Sequence, residues 1–159
     1  RLAGPDCIRE LIDITTALNK TAALVAMDYK PHACTDVTGF GLAGHLMEMA
    51  RASSIELTLS VEAVPFIASA VEFGRMGLFP AGAYTNKKFF THSVSVADGI
   101  DPILADLLFD PQTSGGLLLS VSEPSAAPLL AALREAGVDA RLIAEVTARN
   151  DCGALHVTP

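Results

Sequence analysis

Between Ile55 and Glu62 the chain alternates without a break. Ile55, Leu57, Leu59 and Val61 fall on one side; Glu56, Thr58, Ser60 and Glu62 fall on the other. Successive side chains of an extended strand point to opposite faces, so this run predicts a strand with one face on a core and one face in water. Such a strand does not suit a doubly wound parallel sheet, whose strands are buried on both sides and read as continuous apolar runs.

Helical patterns surround it. Ile8, Leu11, Ile12 and Leu18 predict a helix over 6–18, and Asn19 stands where it can cap a second helix over 21–27. Residues 32–37 read as a short extended segment. Leu42, Leu46, Met49 and Ala50 share a face of a helix over 39–52, with Thr38 as its N-cap. Pro65 opens a helix to about residue 73. Gly74, Gly77, Pro80 and Gly82 then punctuate a long loop. Residues 89–96 read as a strand and 102–108 as a short helix. After a polar turn at 110–116, Leu117–Val121 is a buried strand. Ser125 caps a helix that holds Pro128 in its first turn and stops at Gly137. Residues 141–146 and 154–157 are closing strands. The expectation is one α+β domain over 1–159, with a mixed sheet layered against helices. A hydrophobic content of 50% over 159 residues is enough for its core.

Composition excludes several functions. A net charge of −7 repels phosphate backbones, and the densest cationic spot is only Lys87-Lys88, so no nucleic-acid partner is expected. No apolar run approaches the ~18 residues of a membrane span. Cys7, Cys34 and Cys152 are odd in number and form no CxxC pair, which argues against a disulfide framework or a structural zinc site and for a reducing, cytoplasmic setting. The opening Arg1-Leu2-Ala3-Gly4-Pro5 reads as a linker, the start of a fragment or a processed or tagged terminus.

Gly39-Phe40-Gly41-Leu42-Ala43-Gly44 is literally G-x-G-x-x-G, with Glu62 about 20 residues on, where a dinucleotide fingerprint places its ribose-binding acid. Three details oppose that reading. The preceding strand, His32-Ala33-Cys34-Thr35-Asp36-Val37, is too polar. The Ile55–Glu62 strand is half wet. Asp36 would also meet a pyrophosphate with no cation to offset the repulsion.

Asp36 is the main chemical feature. A carboxylate at a strand end before a glycine-rich helix entry suits Mg²⁺, which takes one or two carboxylates together with phosphate oxygens. Thr38 adds a hydroxyl, and the amides of Gly39 and Gly41 are open to an anion or water. The plainer alternative, which local physics favours, is that Asp36 caps the helix. Thr113, Ser114, Gly115 and Gly116 can form an anion-binding nest or a self-bonded turn. Asn86 is a polar ligand or a turn former. His45 reads as a packed histidine and Cys34 as a small buried hydrophobe. His32, His92 and His156 form no metal pair, and no serine–histidine–acid order is persuasive.

Two segments taken together resemble a known family. Ala33-Cys34-Thr35-Asp36-Val37-Thr38-Gly39-Phe40-Gly41-Leu42-Ala43-Gly44-His45-Leu46 is similar to the signature of the C-terminal domain of selenophosphate synthetase (selenide, water dikinase). Leu108-Phe109-Asp110-Pro111-Gln112-Thr113-Ser114-Gly115-Gly116-Leu117-Leu118 is similar to its second signature, and Pro80-Ala81-Gly82 with Asn86 to a third loop. The wider superfamily is that of aminoimidazole ribonucleotide synthetase. The resemblance implies a three-layer α/β/α domain with a mixed sheet. It also implies a reaction of ATP, water and selenide giving selenophosphate, AMP and orthophosphate, with Mg²⁺ bridging the phosphates. Asp36 maps onto a family Mg²⁺ ligand. Thr38, Gly39, Asn86, Thr113, Ser114 and Gly115 are the expected nucleotide or phosphate side. The family's catalytic cysteine or selenocysteine and its lysine belong to an N-terminal half with no counterpart in this chain. An isolated domain of this kind is expected to be inactive, to partner that N-terminal half, and to work in a homodimer. The remaining alternatives are a non-catalytic assembly module and a superfamily member that phosphorylates another acceptor.

Overall fold

A computed structural model describes residues 2–159. In chain order its elements are α1 (Pro5–Thr16), α2 (Lys20–Met27), β1 (Ala33–Asp36), α3 (Gly41–Ser53), β2 (Ile55–Ser60), α4 (Ala68–Arg75), α5 (Ala81–Phe90), β3 (Val94–Val96), α6 (Pro102–Leu107), β4 (Leu117–Ser120), α7 (Glu123–Glu135), β5 (Ala144–Arg149) and β6 (Ala154–Thr158). They gather into two compact units. The chain up to Val37 joins Thr113–Ala140 in the first; Thr38–Gln112 joins Arg141–Pro159 in the second.

In the first unit β1 and β4 pair antiparallel, with Ala33 opposite Ser120 and Asp36 opposite Leu117. A Rossmann first strand would be parallel to its neighbours, so this pairing agrees with the polar sequence in opposing the dinucleotide reading. Ala22 and Ala26 of α2 bury against Leu129 and Leu133 of α7, and Leu117, Leu119 and Val121 close that small core. Small residues on α2 let the two helices approach closely. Gly137 ends α7 as expected. At φ 79° it takes the left-handed conformation; its N–H donates to the Arg134 carbonyl and that of Val138 to Leu133, the two bonds of a Schellman motif.

Two local expectations fail here. α7 starts at Glu123, with Ser122 at the N-cap position, so Pro124 takes the first turn and Pro128 lies inside the helix. Ser125 does not cap it; its hydroxyl pairs with that of Ser122 at 2.9 Å. Asn19 does precede α2, but its side chain makes no cap bond. Instead its Nδ2 donates to the Gly115 carbonyl at 3.1 Å.

The second unit holds a mixed four-stranded sheet in the order β3-β6-β2-β5. β2 runs parallel to β6 and antiparallel to β5, and β3 runs parallel to β6. The alternation at Ile55–Glu62 has its expected effect. Leu57, Leu59 and Val61 are buried, and the strand ends at Ser60, where residues 61–63 tighten into a 3-10 turn. Leu155 and Val157 of β6 are buried beside them, and α3 packs on both strands through a face that includes Ala43, Leu46, Met47 and Ala50. Burying each of these leucines contributes about 1.5–3 kcal/mol. The α+β class with a mixed sheet is therefore as predicted, with a second, two-stranded sheet in the first unit.

Between residues 65 and 96 the predicted boundaries change. Pro65 does not open a helix; α4 begins at Ala68 behind an extended Ile67. The supposed loop around Gly82 is α5, and Phe89 and Phe90 end that helix instead of starting a strand. Only Val94–Val96 is extended.

Candidate functional site

In the first unit Asp36 closes β1, with its residue exposed. No described residue hydrogen-bonds to or pairs with its carboxylate. The helix-cap alternative fails, because α3 begins only at Gly41 and no side chain caps it. Asp36 is thus an exposed anion without a structural partner, which suits a single carboxylate ligand for Mg²⁺. Among the described residues no group of three or more His, Cys, Asp or Glu side chains is placed to hold a metal. Cys34 is exposed too, yet desolvation and then the Asp36 charge push its thiol above the usual range, which disfavours the reactive thiolate.

Thr113 and Ser114 form a bend, and neither hydroxyl bonds to the backbone of its own turn. Gly115 cannot serve an anion nest with its amide. Its N–H donates to Val37 at 3.0 Å, while Gly116 accepts from the Val37 N–H at 3.0 Å. These bonds continue the β1–β4 ladder one step beyond Asp36. The Gly115 amide is thus committed, while the N–H groups of Thr113 and Ser114 donate to no backbone carbonyl among the described residues.

In the second unit Thr38, Gly39, Asn86 and His45 come together. Thr38 is not an N-cap. Its carbonyl accepts the N–H groups of Gly41 and Gln112 at 3.0 and 3.1 Å, and its hydroxyl lies 3.2 Å from His45 Nε2. The Gly41 amide is therefore not open to an anion. Asn86 is no loop residue: it sits on α5, buried, and donates through Nδ2 to the carbonyls of Gly39 and Phe109 at 2.9 and 3.1 Å. It ties the segment entering α3 to the segment leaving α6. The glycines act by packing. A Cβ on Gly41, at φ 72°, would meet backbone atoms of Phe109, Leu108 and Asp110 within 2.9 Å, and one on Gly44 would strike Phe40 and Phe90. Gly39 alone of these is exposed with open space around it. Burial raises the Asp110 carboxyl above the usual range.

Sequence reasoning took His45 for a packing residue and passed over Glu48. Glu48 Oε2 stands 3.0 Å from His45 Nδ1. The signal was their i,i+3 spacing on α3, which stacks side chains on one helix face. A second row, on adjacent strands, also escaped the sequence. Ser95 Oγ is 2.7 Å from His156 Nδ1, and Glu56 Oε2 is 3.6 Å from His156 Nε2. The acid lies beyond hydrogen-bond reach there, on the nitrogen that faces serine in a catalytic triad.

Comparison with known proteins adds what geometry cannot. Residues 9–156 match the family model described as AIR synthase related protein, C-terminal domain. The chain is 45% identical over 146 residues to a selenide, water dikinase of Pelobacter propionicus, covering 91% of this chain and 42% of that protein. It is 39% identical over 143 residues to a selenide, water dikinase of Clostridioides difficile, covering 89% and 41%. The chain thus spans about two fifths of the length of these relatives. Among solved structures, E. coli HypE, a hydrogenase maturation protein, superposes with a TM-score of 0.56 at 21% identity, over 89% of this chain and 36% of that one. At that identity the likeness speaks to fold alone.

Proposed function

We propose, from the premise that this chain belongs to the family of AIR synthase related C-terminal domains, that it is the C-terminal domain of a selenide, water dikinase. It would work with a further domain corresponding to the remaining three fifths of its relatives. The whole enzyme would phosphorylate selenide at the expense of ATP, giving selenophosphate, AMP and orthophosphate, and would act as a homodimer. The observation that carries this reading is the unpaired, exposed Asp36 carboxylate, within a segment shared in pattern with the selenium family. Asp36 is the Mg²⁺ ligand in this proposal. Mg²⁺, when bound, supplies charge neutralisation for phosphoryl transfer. Within the first unit the candidate contributors are the Asp36 carboxylate and the Thr113 and Ser114 hydroxyls; within the second, the Thr38–Gly39 segment held in place by Asn86. Gly115 contributes as the backbone that ends the β1–β4 ladder, since its amide is already bonded.

The test is complementation. This chain, mixed with the remaining portion of the Pelobacter propionicus relative, is expected to give selenide-dependent AMP release. Asp36→Asn should lower that rate about 100-fold or more, the scale of a metal contact worth several kcal/mol at the transition state. An Asp36→Asn mixture as active as the parent removes the metal assignment. AMP release with another acceptor but not with selenide removes the selenium reading. An assembly module is favoured by one observation: α1 buries none of its residues, and Leu11 and Ile12 are about half exposed. Partner binding in the absence of any AMP release would support that second reading.

A further inference from the structure

We infer that Glu48 and His45 fix the Thr38 hydroxyl as a donor toward His45, so that Thr38 Oγ presents only lone pairs to any ligand. His45 is buried, at 7% exposure, and the Phe40 ring lies tilted against it, centroids 5.7 Å apart. A neutral imidazole carries one N–H and one bare nitrogen. Glu48 Oε2 is 3.0 Å from Nδ1. The pair is off the axis of a good hydrogen bond, and Nδ1 has no other partner among the described residues. Coulomb attraction does not need that alignment. A carboxylate that close can only accept, and its charge draws the ring proton to Nδ1. Nε2 is then the bare nitrogen. The hydrogen-bonding atom facing it is Thr38 Oγ at 3.2 Å, which must donate.

A threonine hydroxyl has one hydrogen and two lone pairs. With the hydrogen committed inward, Oγ repels phosphate oxygens and accepts from N–H groups, ammonium ions or water on a cation. Both backbone N–H bonds to the Thr38 carbonyl hold the residue in place while its side chain is set. His45 is thus a positioning residue, acting through Thr38 much as outer-shell partners orient the groups that touch a ligand. Thr38, expected among the phosphate-side residues, would instead serve a cation or an N–H group. That last consequence rests on the proposed function; the relay itself does not.

The tautomer can be read directly by ¹⁵N NMR of the histidine rings in this chain. His45 is assigned by elimination after His32, His92 and His156 are each replaced by asparagine. The expected spectrum at neutral pH has a protonated Nδ1 and a bare Nε2. In Glu48→Lys, at a half-exposed position, the new ammonium should drive the proton off Nδ1 and exchange the two signals. A protonated Nε2 in the parent, whether as the reverse tautomer or as imidazolium, overturns the inference. So does a Glu48→Lys spectrum unchanged from the parent. AMP release plays no part in the measurement, so the relay and the proposed reaction stand or fall separately.

Discussion

Asn86 shows how much a single amide can hold. Its Nδ2 serves the carbonyls of Gly39 and Phe109, so Asn86→Leu, of the same branched shape but bulkier, leaves both unmet, the Phe109 one in a buried setting. The expected loss is about 2–3 kcal/mol of unfolding free energy in urea. The two neighbouring glycines separate cleanly. Gly41→Ala combines a positive φ with collisions against backbone that cannot swing away, and should cost more than about 2 kcal/mol. Gly39→Ala meets nothing within 4 Å and should stay within about 0.5 kcal/mol of the parent. Asp110 gives a pH signature. Its folded-state carboxyl is raised by burial, so the folded state holds the proton more tightly than the unfolded state. The group's contribution therefore falls as pH rises from the ordinary carboxylate range through the raised folded value. Asp110→Asn should have the higher urea midpoint at neutral pH, and the gap should close once the pH is below the ordinary carboxylate range.

At the scale of elements, Pro128 is the clearest test. It is exposed, inside α7, and deprives the Pro124 carbonyl of its helical partner. Pro128→Ala should raise stability by about 1–3 kcal/mol, read as a higher urea midpoint, without touching the core. The elements that could be read in the sequence are those whose pattern is set by one-sided burial. The alternation at β2 and the Leu129–Leu133 face of α7 translated directly, whereas α3 formed as expected but buries Ala43, Leu46, Met47 and Ala50, with Leu42 and Met49 only half-buried. α5 did not, because Pro80 and Gly82 look like breakers. Pro80 instead occupies the N-cap position. Gly82 is tolerated because Pro111 lies where its Cβ would go, 2.9 Å away; that partner is remote in sequence and invisible to local pattern. Phe89 and Phe90 favour strands by propensity, yet Phe90 is 2% exposed at the end of a helix, under the Arg51 guanidinium. For the site, the sequence marked Asp36 and Thr38 as candidates but could not give their bonds. Whether the Gly41 and Gly115 amides are free depends on Thr38 and on Val37, across turns whose geometry composition does not specify.

At the scale of the molecule, the mixed sheet depends on a strand far from its neighbours in sequence. β6 lies between β3 and β2, and its Leu155 and Val157 are at 0% and 1% exposure. Truncation after Gly153 leaves β3 without a partner and one edge of β2 open. It removes two side chains worth about 1.5–3 kcal/mol each on burial, as well as the ladder bonds. Against a total stability of about 5–15 kcal/mol, that loss should abolish the fixed packing of the second unit, seen as a collapse of its near-ultraviolet circular dichroism. The order in which the strands leave the ribosome then matters. Both neighbours of β2, β5 and β6, are synthesised after α7, so β2 must wait with both edges unpaired while α4 to α7 are made. An open strand edge during synthesis is where a nascent chain pairs with the wrong neighbour. The cellular yield of this protein should therefore be sensitive to translation speed and chaperone supply, more than its final stability would suggest.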